Sequence, residues 1–310
     1  MAMADLREFS VIVPTRNRPD QLRACLRSLA AMDYPRDRFE VIVVDDESRE
    51  ALSALARQFD DVLNLSILRK KREGPTAARN HGAAHAQGRF LAFTDDDCTA
   101  SPNWLSALGE RLTTAPEDLV GGKIVNALNA NIYSETSQTI LDAVYEHYNL
   151  AQGRAYFFAS CNFAMAAEKF RALDGFKPGW LLAGGEDRAF CYRWLQLGWK
   201  LNYAPEAAIL HHHALDLRSF CGLYFRYGRG AYYYHQHVRR GAAGPGAVGP
   251  DPMFYWRCFR RPWIDHKPTR AFRITFLLVV WQFANAAGYF SQRFAPNAIP
   301  DNDKPPTSMR

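Results

Sequence analysis

The sequence predicts an α/β protein: a mostly parallel central sheet flanked by helices, followed by a helical C-terminal extension. Three observations predict it. Apolar, β-branched runs alternate with segments of helical spacing from Phe9 to Thr94, the pattern of βαβ units. Polar clusters follow these runs directly, where open α/β sheets bind ligands. Beyond His211 the composition turns basic and aromatic.

The elements follow in order. Phe9 to Pro14 is a short apolar run closed by proline, a buried strand. Asp20 to Met32 places Leu22, Cys25, Leu26 and Leu29 at helical spacing. Phe39 to Val44 is a second strand, ending in Asp45-Asp46, and Ala51 to Phe59 a second helix. A third strand spans Leu63 to Leu68, an alanine-rich helix Thr76 to Ala86, and a fourth strand Arg89 to Thr94. The second half is less regular. Helices are expected at Ser101 to Thr113, Tyr133 to Gln152, Glu168 to Leu173 and Glu186 to Leu197. Strands are expected at Leu119 to Val125, Phe157 to Met165, Leu201 to Tyr203 and Ala207 to His211. Gly241 to Pro252 predicts a mobile loop, and 299–310 a polar tail without a core.

The 310 residues suffice for a sizeable core, and 48% apolar composition excludes a disordered chain. The net charge of +6 is uneven. From His211 onward there are 14 Lys/Arg against 5 Asp/Glu, and before it 24 against 27. Metal and nucleotide suit the acidic front, an anionic surface the basic back. The six cysteines form no C-x-x-C pair, so buried reduced thiols are expected. Asp5 and Glu8 interrupt any apolar leader, so the expectation is a cytoplasmic protein.

Asp95-Asp96-Asp97 ends the fourth strand. Three adjacent carboxylates repel one another, and a divalent cation or solvent relieves this. Oxygen-rich ligand sets favour Mg²⁺ or Mn²⁺. Alone, the run also fits a solvated acidic turn. Its neighbours decide. Val11-Ile12-Val13-Pro14-Thr15-Arg16-Asn17-Arg18, Val41 to Ser48, Glu73 to Gly82 and Gly88 to Asp97 occur in order. In these four segments the sequence resembles the family 2 glycosyltransferases, which have the GT-A fold.

That resemblance implies a GT-A domain over residues 1–215, with a nucleotide-binding half to about residue 100 and an acceptor half after it. It implies an inverting transfer from a nucleotide sugar to an acceptor hydroxyl, in cell-surface polysaccharide or glycolipid synthesis. The implied nucleotide pocket comprises Pro14, Thr15, Arg16, Asp45, Asp46, Gly74, Arg79, Asp95 and Asp96. Asp95 would face the ribose and Asp97 a metal bridging the diphosphate, Mn²⁺ or Mg²⁺. His211, ending a stretch similar to the family's, would be a further ligand to the metal or the diphosphate. The Asp45-Asp46 pair also suits a helix cap. Gly184-Gly185-Glu186-Asp187 opens a helix, where the macrodipole favours acids. By resemblance Asp187 is the general base, with Glu186 orienting a neighbour or the acceptor. Gly184, Gly185, Asn162 and Trp180 lie beside the sugar or acceptor. UDP-sugars are the favoured donors, GDP- or dTDP-sugars the alternatives, and the acceptor is a saccharide or lipid-linked.

Residues 216–298 form the basic, aromatic region. Arginines interleaved with aromatics from Arg218 to Arg240 suit an interfacial helix or a phosphate-bearing acceptor. Ile274 to Phe290 is of marginal length for a span and contains Thr275, Gln282 and Asn285. The expectation is a helix packed on the enzyme or lying in the interface, giving peripheral contact with the cytoplasmic membrane face. No nucleic-acid motif is present, so nucleic acid is not expected as a partner. Without G-x-G-x-x-G after the first strand, a dehydrogenase is disfavoured. A nucleotidyltransferase or a non-catalytic sugar-nucleotide binder remains as an alternative.

Overall fold

The structure is a computed structural model that describes residues 7–150, 154–177, 185–240 and 251–294. Its first half is the expected alternation: β1 (Phe9–Thr15), α1 (Pro19–Ala30), β2 (Phe39–Asp46), α2 (Ser53–Ala56), β3 (Leu65–Lys70), α3 (Pro75–His85) and β4 (Phe90–Phe93). β1, β2 and β4 are buried throughout, which explains their continuous apolar runs. Proline sits in the first turn of α1 and of α3, where its missing N–H costs nothing.

The second half comprises β5 (Cys98–Ala100), α4 (Trp104–Thr114), β6 (Leu119–Asn126), α5 (Ile132–Tyr145), β7 (Phe163–Ala166), α6 (Ala167–Ala172), α7 (Glu186–Gln196) and β8 (Leu201–His211). Among the described residues one eight-stranded sheet runs β3-β2-β1-β4-β7-β6-β8-β5. The pairs from β3 to β4 are parallel, as is β6 with β8. β7 runs antiparallel to both neighbours, and β5 antiparallel to β8. The order reverses at β1, which lies between β2 and β4. That is the switch point at which such sheets open a ligand crevice.

Several boundaries differ from expectation. α2 has only four residues, because Gln58 and Phe59 bond to carbonyls three residues back and tighten the chain. α5 passes into a π-helical turn over Glu146–Leu150. β7 is shorter than expected, and the two segments expected at 201–211 are one strand. The six cysteines are free thiols. The 299–310 tail and residues 241–250 of the expected loop lie outside the described residues.

Three helices follow: α8 (Leu217–Arg240), α9 (Pro252–Asp265) and α10 (Pro268–Phe294). They share a core with α5, in which Ile140 and Ala143 meet Phe220, Cys258, Ile274 and Leu278. α8 and α10 cross closely. A Cβ added to Gly228 would lie 1.9 Å from the Asn285 carbonyl oxygen, and one on Gly288 1.9 Å from that of Phe225. Only glycine permits this backbone approach. The crossing fixes α8 against α10, and the shared core with α5 seats the pair on the rest of the chain.

Candidate active site

The site forms where β1, β2 and β4 end. Asp96 is buried, and its carboxylate accepts hydrogen bonds from Thr15 Oγ1 at 2.7 Å and Arg18 Nη1 at 3.0 Å. Burial pushes it up to about 6, against the pull of Arg18 and Thr15. Arg18 also pairs with Asp97 Oδ2 at 3.1 Å. Asp96 thus ties the first and fourth strand ends together, while Asp95 and Asp97 lie to either side. Asp95 pairs with Arg79 Nη2 of α3, whose Nη1 lies 4.0 Å from Glu186. Arg79 is buried, and its Nε and Nη1 have no hydrogen-bond partner.

Asp97 Oδ1 lies 3.3 Å from His211 Nε2 at the end of β8. The β5–β8 pairing, which matches Cys98 with His211, sets this distance. Burial raises the Asp97 carboxyl, but the His211 hydrogen bond and the charges of His211 and Arg18 outweigh it and hold it well below the usual range. Burial alone would lower His211, yet Asp97 pushes it up to about 9. His213 stacks on His211 at 5.0 Å and is pushed down to about 4 by burial and that neighbour. His212, just past the end of β8, lies 3.1 Å from Thr99 instead.

These residues fit a divalent cation. Ligand atoms of Asp97, Cys98 and His211 lie within 4.8 Å of one another. Asp97 and His211 both line the cleft, whereas Cys98 is buried and offers a soft sulfur that hard cations do not prefer.

At the opposite wall α7 begins with Gly185, whose φ of 116° places it in backbone territory that side chains strain to adopt. Glu186 and Asp187 follow in the first turn. Burial and the charge of Asp187 push Glu186 up to about 7, with Arg79 opposing. Burial likewise raises Asp187, against the hydrogen bond it accepts from the Arg188 N–H at 2.8 Å. A packed aromatic cluster of Phe93, Phe163, Phe176 and Phe190 braces the start of α7 from behind.

Most expected site residues converge on one cleft of about 1200 Å³. Pro14, Thr15, Arg16, Asp46, Gly74, Arg79, Asp95, Asp96, Asp97, Gly185, Glu186, Asp187 and His211 all line it. Asp46 accepts the N–H groups of Glu73 and Gly74, each at 2.9 Å, and so fixes the loop into α3. Two residues depart from expectation. Asp45 is 1% exposed and accepts the Ser48 N–H at 2.8 Å, so it shapes the turn after β2 instead of facing the cleft. Asn162 is fully buried: its Oδ1 accepts from the Trp104 indole, and its Nδ2 donates to the carbonyls of Lys123 and Ala207. Ser160 and Cys161 line the cleft in its place. Trp180 and Gly184 lie outside the described residues. Arg18 has a clear place here that the sequence did not assign. Its only local signal was a second arginine in Pro14-Thr15-Arg16-Asn17-Arg18.

The role of Asn162 can be measured. Asn162→Ala leaves an indole N–H and two carbonyls buried without partners, and is expected to cost about 2–4 kcal/mol of folding stability. Chemical denaturation checks this; an unchanged midpoint would contradict the assignment.

The sheet order, the crevice at its switch point and the acidic cleft are those of a GT-A type glycosyltransferase fold. The Glycosyl transferase family 2 model matches residues 10–173, and the chain belongs to that family. Glycosyltransferase AglE of Haloferax volcanii is 37% identical over 117 residues, covering 37% of this chain and 38% of its own. The pre-mycofactocin glycosyltransferase of Mycobacterium tuberculosis is 28% identical over 238 residues, covering 73% and 47%. The chain thus spans less than half the length of these relatives. Among solved structures, the mannosyltransferase PcManGT from Pyrobaculum calidifontis, in complex with GDP-Man and Mn²⁺, superposes with a TM-score of 0.64. It is 18% identical, with 94% of this chain and 88% of that chain covered.

Proposed function

We propose that this glycosyltransferase is inverting and metal-dependent, moving a sugar from a nucleoside-diphosphate sugar to an acceptor hydroxyl in cell-surface polysaccharide or glycolipid synthesis. The observation that carries this is one cleft with two acidic walls: Asp95 to Asp97 at the sheet's switch point, and Glu186-Asp187 at the start of α7. The similar mannosyltransferase structure contains GDP-Man and Mn²⁺, which supports a nucleotide and a cation here.

Asp97 and His211 would hold the cation, Mn²⁺ or Mg²⁺. It would neutralise diphosphate charge and ease departure of the leaving group. Arg16 Nε and Arg79 Nε and Nη1 are buried without a hydrogen bond, suited to phosphate or sugar oxygens. Asp95, held by Arg79, is placed for the ribose. Asp187 takes the proton from the acceptor hydroxyl, whose oxygen then attacks the anomeric carbon opposite the leaving diphosphate. Glu186, paired with Arg79, orients the base and keeps that wall anionic. Incubation with Mn²⁺ and a panel of UDP-, GDP- and dTDP-sugars tests the proposal. Release of nucleoside diphosphate is expected with one donor class. No release from any of them, with or without acceptor-containing extracts, would contradict it.

The C-terminal helices support peripheral attachment to the cytoplasmic face of a membrane. α10 is, among the described residues, the one helix long and apolar enough to cross a membrane, and 28% of its most apolar window is buried. Its outer face exposes Phe272, Phe276, Phe283, Phe290 and Phe294, beside Trp256 and Trp263 of α9. Its inner face packs Ile274, Leu278 and Trp281 into the protein, which favours lying in the interface over spanning. Phe276→Ser with Phe283→Ser is expected to lower partitioning onto anionic vesicles at least about tenfold. Vesicle co-sedimentation reads this, and unchanged partitioning rejects the attachment.

A further inference from the structure

The cleft extends well beyond the acids. It continues between α5, α8, α9 and α10 to Ala286, Tyr289 and Phe290. Its volume of about 1200 Å³ exceeds the roughly 300–1,000 Å³ of most small-ligand pockets. The two ends differ in chemistry. Every carboxylate that lines it lies at the front: Asp46, Asp95, Asp96, Asp97, Glu186 and Asp187. The arm toward α10 is walled by the rings of Tyr224, Tyr227, Phe254 and Trp281, with Arg226, Gln282 and Asn285 among the polar groups between them. Saccharide hydroxyls need many directional partners; a hydrocarbon chain needs none and gains from aromatic walls.

The two ends are joined. Tyr227 lines the passage close to Asp187 and Glu186, whose charges, after burial, raise its hydroxyl. At the far end Phe290 both lines the arm and, 46% exposed, belongs to the outer aromatic stripe of α10. That helix carries no acid, and the exposed Arg293 lies three residues beyond Phe290, so the mouth opens beside an apolar surface with a cation at its edge.

We propose that this arm is the acceptor site and takes the apolar chain of an amphiphilic acceptor, its hydroxyl at Asp187 and its tail leaving past Phe290. The assignment of the hydroxyl rests on the transferase reading above. The chain's place in the arm rests on the cleft alone. It also implies the direction of supply: an acceptor already carrying its hydrocarbon enters from a lipid surface, whereas the nucleotide sugar enters from water.

The test is binding of n-alkyl β-glucosides with six to twelve carbons to the full chain, below their micelle concentrations, measured by calorimetry. Affinity is expected to rise toward about fourfold per methylene, the factor set by full burial of each CH₂. Ala286→Trp, at an exposed position lining the mouth, is expected to flatten that series. It is also expected to leave Mn²⁺-dependent nucleoside diphosphate binding unchanged, which shows that the variant is folded. A flat series in the unmodified protein overturns the proposal. So does tighter binding of longer maltooligosaccharides in its stead, which would make the arm a saccharide groove. A chain-length dependence that survives Ala286→Trp overturns it too, by assigning the contacts to the outer stripe. The series needs no turnover, so its result stands whether or not transferase activity is found.

Discussion

Asp187→Asn is expected to leave nucleotide-sugar affinity unchanged and to lower transfer about 10²–10⁴-fold, the usual contribution of a positioned general base. Asparagine keeps the shape and still accepts the Arg188 N–H, but cannot take a proton. The pH profile supplies a second readout. The folded-state pKa of Glu186 is raised to about 7, and that of Asp187 is raised as well, by burial and, for Glu186, by the charge of its neighbour. A raised carboxyl becomes an active base only above its pKa. The rate is therefore expected to rise with pH along an acid limb that lies above the usual carboxylate range, and to fall about tenfold per unit below that limb. The neutral side chain of the Asp187→Asn variant also removes the repulsion acting on Glu186, so any residual activity is expected to keep its acid limb at lower pH. Initial rates and donor titrations on the same preparations check both. Substantial residual transfer would exclude Asp187 as the base.

Asp97→Ala is expected to remove Mn²⁺-dependent nucleotide binding, a loss above about 100-fold, since even partners outside the ligand sphere cost about 10–100-fold. The reason is local. Asp97 is held ionised by His211 and Arg18, and its loss leaves His211 without the carboxylate that raises it. The site then lacks its carboxylate ligand, and Arg18, which had paired with it, is left facing the cation. Metal-free binding through Arg16 and Arg79 is expected to persist, weakly, in both proteins. Calorimetry with and without Mn²⁺ separates the two contributions. If the variant binds nucleotide with the same metal dependence as the parent, the cation sits elsewhere.

The parts of this site visible in the sequence are those built locally. β1, β2 and β4 are buried on both faces, so they appear as unbroken apolar runs, and the polar residues that end them stand out. Asp46, Asp95 and Asp97 were legible for that reason, and Glu186-Asp187 because two glycines precede acids at a helix start. Contacts made across the chain were not. β5 has three residues and exists because β8, more than a hundred residues later, pairs with it. Asn162 follows a cleft-lining serine and cysteine, but its three partners come from α4, β6 and β8, so only the folded chain shows that it points inward. Asp45 and Asp46 look equivalent in sequence. The pleat sends one into a turn and the other toward the loop before α3. The large arm was invisible for the same reason, since its walls come from α5, α8, α9 and α10, which lie far apart in the chain.

With the donor on the Asp97 wall and the base on the Asp187 wall, as proposed, transfer is expected to be a single displacement at the anomeric carbon. Proton NMR of the sugar first released from the active donor, with water or an acceptor as nucleophile, distinguishes this from a two-step route. The expected first-formed product has the anomeric configuration opposite to the donor's. A product that retains the donor's configuration from the first turnovers would contradict single displacement.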